Sequence, residues 1–124
     1  MKKIIYSIVL LISMSSLAYA QEADNSVKSN GKVELVKSKT TGEYQFNFAT
    51  ERTKESVEKA ASYYTANFIV DYDEASNAAT LKMIENSVTS RTLIARFLAV
   101  NQVRFVEIDG MNVSISEFTD SYLK

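Results

Sequence analysis

The sequence predicts an α+β sandwich in which two helices cover one face of an antiparallel sheet. Three observations carry that reading. Residues 43–48, "EYQFNF", alternate Tyr44, Phe46 and Phe48 on one side with Gln45 and Asn47 on the other, the period of a half-buried strand. From Arg52 the period changes, and Val57, Ala60, Ala61 and Tyr64 fall at i, i+3, i+4 and i+7, one apolar stripe of a helix. Residues 43–108 then read strand, helix, strand, strand, helix, strand.

The first twenty residues follow the pattern of an export signal: Lys2 and Lys3, an apolar run from Ile4 to Met14, and small residues ending in Ala18-Tyr19-Ala20. The run is shorter than the roughly 20 apolar residues of a bilayer span. Residues 1–20 are expected to be removed, with no stable membrane insertion afterwards and a periplasmic or extracellular destination. The 20 removed from 124 leave 104 residues, enough for one core. "QEADNSVKSNG" (21–31) is polar and aperiodic and is read as a flexible leader, so that the domain spans 32–124.

"KVELVK" (32–37) alternates and lies five residues before "EYQFNF", which predicts an N-terminal strand in a hairpin. Thr50 or Thr53 can cap the first helix, and Glu55 and Glu58 lie in its early turns, where the dipole favours them. Asn67 ends it. "FIVDY" and "ATLKMI" are strands joined by the turn-rich "DEASNA". "SVTSRTLIARFLAVNQV" returns to helical spacing, with Leu93, Ile94, Phe97, Leu98 and Asn101 along one side and Ser87, Thr89 or Ser90 as caps. "VRFVEI" and "MNVSI" flank Asp109-Gly110, a tight-turn signal. In "SEFTDSYLK", Ser114 and Glu117 have capping-box spacing and Phe118 with Tyr122 form a short stripe, a C-terminal helix. This succession is the split βαβ pattern of ferredoxin-like domains. There the first strand is central, so "KVELVK" must either displace the last strand or pack elsewhere.

The chain contains no Cys and no His. Thiol catalysis, zinc–thiolate sites and the commonest general base are thereby removed, and no cofactor is expected. With Lys2 and Lys3 gone, 12 basic residues face 15 acidic ones, a net charge of −3 that argues against nucleic acid as a partner.

In its order of elements, and in "FIVDYDEASNAATLKMI" for its second and third strands, the chain resembles the heavy-metal-associated domains. In that family a Cys-x-x-Cys pair occupies the loop between first strand and first helix. Here that loop is "ATERTKES", where Ala49 to Lys54 supply no thiolate or imidazole, so metal binding is not carried over. Arg52 and Lys54 beside the free N–H groups of a helix start are a candidate anion contact. Asp71, Asp73 and Asn77 match part of a calcium-loop template that lacks its central Gly and has Lys82 in place of the bidentate Glu, so an acidic turn is the reading. Glu107 and Asp109 are a carboxylate pair better explained as exposed strand positions.

The function expected is that of a small exported, non-catalytic module for protein–protein interaction or assembly in the bacterial cell envelope. Its partner would be another envelope protein or a second copy. The alternative is a ligand-binding or sensory domain with a pocket between sheet and helices. The candidate interaction surface is the strand edge at Val33, Glu34, Leu35 and Val36, open to β-augmentation, with the helix face around Tyr63 as the second choice.

Overall fold

A computed structural model describes residues 25–124; residues 1–20, expected to be an export signal, and residues 21–24 of the expected leader lie outside the described residues. The fold is α+β. Its strands are β1 (Ser26–Ser29), β2 (Glu43–Phe48), β3 (Phe68–Asp73), β4 (Ala78–Met83), β5 (Phe105–Ile108) and β6 (Met111–Ser114). Its helices are α1 (Lys32–Thr41), α2 (Lys54–Ala61), α3 (Val88–Val100) and α4 (Ile115–Phe118), with a 3-10 turn at Ser62–Tyr64 after α2 and a π turn at Thr119–Leu123 closing the chain. The six strands form one sheet in the order β3-β4-β2-β1-β5-β6. It is mixed rather than antiparallel, because β1 runs parallel to β5 while every other pair is antiparallel.

Alternation places the apolar set on a single face. Tyr44, Phe46 and Phe48 of β2 are buried, as are Phe68 and Tyr72 of β3 and Leu81 of β4, while Gln45, Ile69, Asp71 and Lys82 project from the open face. Val57, Ala60 and Ala61 of α2, together with Ile94, Phe97 and Leu98 of α3, close the core from the helical side. Aromatic edges lock the layers: Phe97 meets Phe68 at 5.9 Å and Phe118 meets Phe46 at 5.8 Å, both near-perpendicular. Thr53 caps α2 by accepting from the Ser56 amide, and Ser87 caps α3 by accepting from Ser90. Asp109 and Gly110 both take positive φ, 50° and 86°, and join β5 to β6 as the dipeptide predicts.

Two expectations at the N-terminal end are corrected. "KVELVK" is not a strand but the first half of α1. Leu35 and Ser38, three residues apart, are its buried positions, so its inward stripe holds a single apolar residue and leaves almost no helical signature. The boundaries are set by glycine: Gly31 precedes the helix at φ 100°, and Gly42 ends it in the left-handed conformation, donating its amide to the Ser38 carbonyl at 2.8 Å. Gly31 also permits close approach, since a β-carbon there would stand 2.9 Å from Asp109 Oδ1, and Asp109 Oδ2 accepts from the Lys32 amide at 3.2 Å.

The second correction concerns the leader. Ser26–Ser29 is not flexible chain but an interior strand, Val27 lying fully buried between Phe48 of β2 and Val106 of β5. In a strict ferredoxin-like sheet β2 and β5 are neighbours. Here β1 separates them, which resolves the tension over the central strand with a different segment from the one expected.

Candidate functional site

A groove of about 420 Å³ lies between α2 and the C-terminal end of α3, lined by Arg52, Ser56, Lys59, Ala60, Tyr63, Val100, Asn101 and Gln102. It opens on the helical side of the domain. The space between sheet and helices is filled by Val57, Phe68, Phe97 and Leu98, all fully buried.

Arg52 is held from three directions. Its backbone amide donates to Tyr72 Oη at 3.3 Å, and that hydroxyl donates to Asn77 Oδ1 at 3.1 Å, which ties the β2–α2 loop to the β3–β4 hairpin. The guanidinium lies 5.3 Å from the centroid of the Phe48 ring, a cation–π arrangement. One terminal nitrogen donates to the Asn101 carbonyl at 3.2 Å, and the other to oxygens of Thr50 and Glu51. Asn101 is the C-cap of α3, so Arg52 sits at the negative end of that helix dipole. All these acceptors are neutral oxygens. Among the described residues no carboxylate forms a direct ion pair with Arg52 or with Lys59, although Glu51 and Glu74 lie close enough to act on the same Tyr72 phenol as Arg52.

Tyr63 supplies the apolar wall. The 3-10 turn sends Tyr64 inward to stack on Phe68 at 5.5 Å and leaves Tyr63 projecting at 73% exposure. Across from it Val100, at the exposed end of α3, is 54% exposed. Tyr63 and Val100 are two of eight large apolar side chains exposed among the described residues, and together they give the groove apolar surface on both sides. Tyr72, which anchors Arg52, has its phenol pushed up by burial, opposed by the Arg52 amide and charge, and it is a positioning group rather than part of the lining.

The structure divides the residues chosen from sequence. Arg52 and Tyr63 come together in the groove. Lys54 does not join them: its ammonium lies 3.8 Å from Glu58, and its backbone amide donates to the Glu74 carboxylate of the β3–β4 turn. The start of α2 thus already holds an anion, one supplied by its own chain. Val33, Glu34, Leu35 and Val36 are corrected, for their amides belong to a helix and offer no strand edge; Leu35 is buried, and its amide donates to Gly31 O at 3.0 Å. The acidic turn reading of Asp73 holds, since its carboxylate accepts from the Ala75 amide and the Ser76 hydroxyl. Among the described residues no group of three or more acidic side chains is placed to hold a metal, and no helix is long and apolar enough to cross a membrane.

Sequence reasoning missed Ser56, Lys59, Val100 and Gln102. A signal was present: Ser56, Lys59 and Tyr63 stand at i, i+3 and i+7, the outward stripe of the same helix whose inward stripe was read. Gln102 carried none, because its place depends on how α3 ends. No family model, curated protein or solved structure matches the chain.

Proposed function

We propose that this is a non-catalytic binding module of the bacterial cell envelope, exported after loss of residues 1–20, which takes hold of an acidic segment of another envelope protein in the groove between α2 and α3. The domain is read as a ferredoxin-like core with β1 inserted between the first and last strands. The observation that carries the proposal is the pairing, in one groove, of exposed Tyr63 and Val100 with Arg52 and Lys59, neither of which makes a direct ion pair among the described residues. A bound segment that carries a carboxylate and an apolar side chain neutralises the cations and removes the aromatic wall from water at the same time, the combination found at the centre of protein interfaces. The volume suits a few residues of extended chain rather than a folded surface.

The test compares three baits in a quantitative pull-down from the native envelope: wild type, Lys59→Glu and Tyr63→Ala. Both altered side chains are exposed, so both variants should keep the fold. Proteins captured by wild type and lost with both variants, in a salt-sensitive manner, support the proposal. Identical capture by all three would sink it. Intact mass of the bait purified from the envelope is expected to begin at Gln21, and a chain retaining residues 1–20 would remove the export reading.

A further inference from the structure

We infer that Arg96 of α3 is a second anion contact of the groove, and that the segment held there carries two acidic side chains two residues apart with an apolar one between them. The inference rests on the reading of the groove as a site for an acidic segment. It adds the spacing of the charges and the residue that reads it.

The run of the helices places Arg96 at the groove. β5 is parallel to β1 and β1 is antiparallel to β2, so β5 and β2 point in opposite directions. α2 returns from β2 and α3 leads back into β5, which makes the two helices antiparallel. The start of α2 meets the end of α3 where Arg52 donates to the Asn101 carbonyl. Moving along the groove from Arg52 toward Tyr63 therefore means moving back along α3 from Asn101. Val100 lines the groove, and Arg96 stands four residues earlier on the same side of the helix, one turn beyond the lining. Helical side chains lean toward the helix N-terminus, which carries the guanidinium further along that wall.

Arg96 is exposed and makes no direct ion pair among the described residues. α3 has one other charged residue, Arg91, and its donors are taken: Nε donates to the Leu123 carbonyl at 2.9 Å and a terminal nitrogen to Asn86 Oδ1 at 2.8 Å. The helix contains no acidic residue, and the neighbours of Arg96 three and four positions away, Thr92, Leu93, Ala99 and Val100, are neutral. A solvated arginine is ordinary by itself. This one continues a wall that Arg52 has already made basic, on the far side of the groove from an exposed aromatic ring.

The spacing of the ligand follows from that of the two arginines. Asn101, which holds the tip of Arg52, and Arg96 are five residues apart, about 7.5 Å along the helix at 1.5 Å per residue. In an extended chain, side chains two residues apart point the same way and stand about 6.6 Å from one another. One strand lying along the groove thus sets a carboxylate against Arg52 and the next but one against Arg96, each within reach of a guanidinium fork. The residue between them points to the opposite wall, where Tyr63 projects from α2. The order acid–apolar–acid is the pattern this geometry selects.

The probes are three capped peptides with the cores Glu-Leu-Glu, Gln-Leu-Glu and Glu-Leu-Gln. Each is titrated by NMR into isotope-labelled protein that has been expressed with residues 1–20 and purified after export. Wild type is compared with Arg96→Gln and with Lys28→Gln, which removes an equal charge from the open face of the sheet; both side chains are exposed, and the amide spectrum verifies that the fold is kept. Arg96→Gln is expected to weaken Glu-Leu-Glu and one of the two single-acid peptides about three- to fivefold, and to leave the other unchanged. Arg96→Lys restores part of the loss, and Lys28→Gln changes none of the three affinities. An equal loss for all three peptides, or a loss as large with Lys28→Gln, shows a general field and overturns the inference. Binding weakened by Lys59→Glu but untouched by Arg96→Gln refutes the role of Arg96 and leaves the groove reading standing. Absence of binding of all three peptides to wild type at millimolar concentration refutes both.

Discussion

Replacing Tyr44 by phenylalanine should leave the protein as stable as wild type, or more so, at neutral pH and protect it at alkaline pH. The ring is 1% exposed and stacks on Phe46 at 6.4 Å, and its hydroxyl has no hydrogen-bond partner among the described residues. An unsatisfied buried hydroxyl costs roughly 1–3 kcal/mol of desolvation. Tyr44→Phe removes that cost and leaves a gap of one oxygen, whose lost contacts offset part of the gain. The expected net is between zero and about 1 kcal/mol of added stability at pH 7. The alkaline effect follows from the same burial, which pushes the phenol up to about 12 against the opposing charge of Arg91. Its ordinary value is about 10, so above that pH the unfolded chain gives up the proton while the folded chain keeps it. The contribution of the neutral phenol is thus fully present below about pH 10 and is lost as the pH rises toward 12. At about 1.4 kcal/mol per unit, the loss reaches roughly 2.7 kcal/mol. Urea unfolding of both proteins across this range, with phenolate absorbance followed in parallel, measures the difference directly. A variant less stable by more than about 1 kcal/mol at pH 7 would show that the hydroxyl has a partner, and an equal alkaline decline in both proteins would refute the assignment of that decline to Tyr44.

Three further outcomes are expected. Phe97, fully buried at the contact of α3 with Phe68, should cost roughly 3–5 kcal/mol when changed to alanine, and a denaturant midpoint within error of wild type would refute its place in the core. Gln102→Gly relieves a left-handed residue and should raise stability by about 1 kcal/mol, with an unchanged midpoint showing that the conformation carries no strain. Val36→Ala distinguishes helix from strand by sign: on the exposed side of α1 it should add roughly 0.5 kcal/mol, because alanine exceeds valine in helix propensity, whereas in a strand over 32–37 the same change would cost stability.

Legibility along the chain followed the number of apolar residues each element buries. β2 presents three buried aromatics in alternation, and α2 and α3 bury three and four residues at helical spacing, so each could be read from periodicity. β1 buries Val27 as its one apolar residue in four, and it is a strand only because β2 and β5 supply hydrogen bonds on both sides. Such an element is specified by its neighbours and leaves no pattern of its own. α1 was misread for a related reason. Val33 and Leu35 alternate as a strand would, yet Val33 is 69% exposed and Leu35 fully buried on a helix whose signal is two of the chain's three glycines, at 31 and 42. The groove was half legible: Arg52 and Tyr63 were chosen for charge and for lying off a stripe, whereas Val100 and Gln102 acquire their meaning only from the end of α3.

The inserted strand also accounts for the position of the groove. Without β1, β2 and β5 would pair at the usual spacing of about 4.8 Å; with it between them they stand about 10 Å apart. α2 follows β2 and α3 leads into β5, and the register that aligns Phe48, Val27 and Val106 brings the end of β2 and the start of β5 to the same end of the sheet. Widening the sheet there by one strand parts the start of α2 from the end of α3. Arg52 reaches across that gap to the Asn101 carbonyl, and the space it leaves beyond the guanidinium is the groove. The same insertion sets Asn25 at the same end, hydrogen-bonded to Arg104 and Phe105.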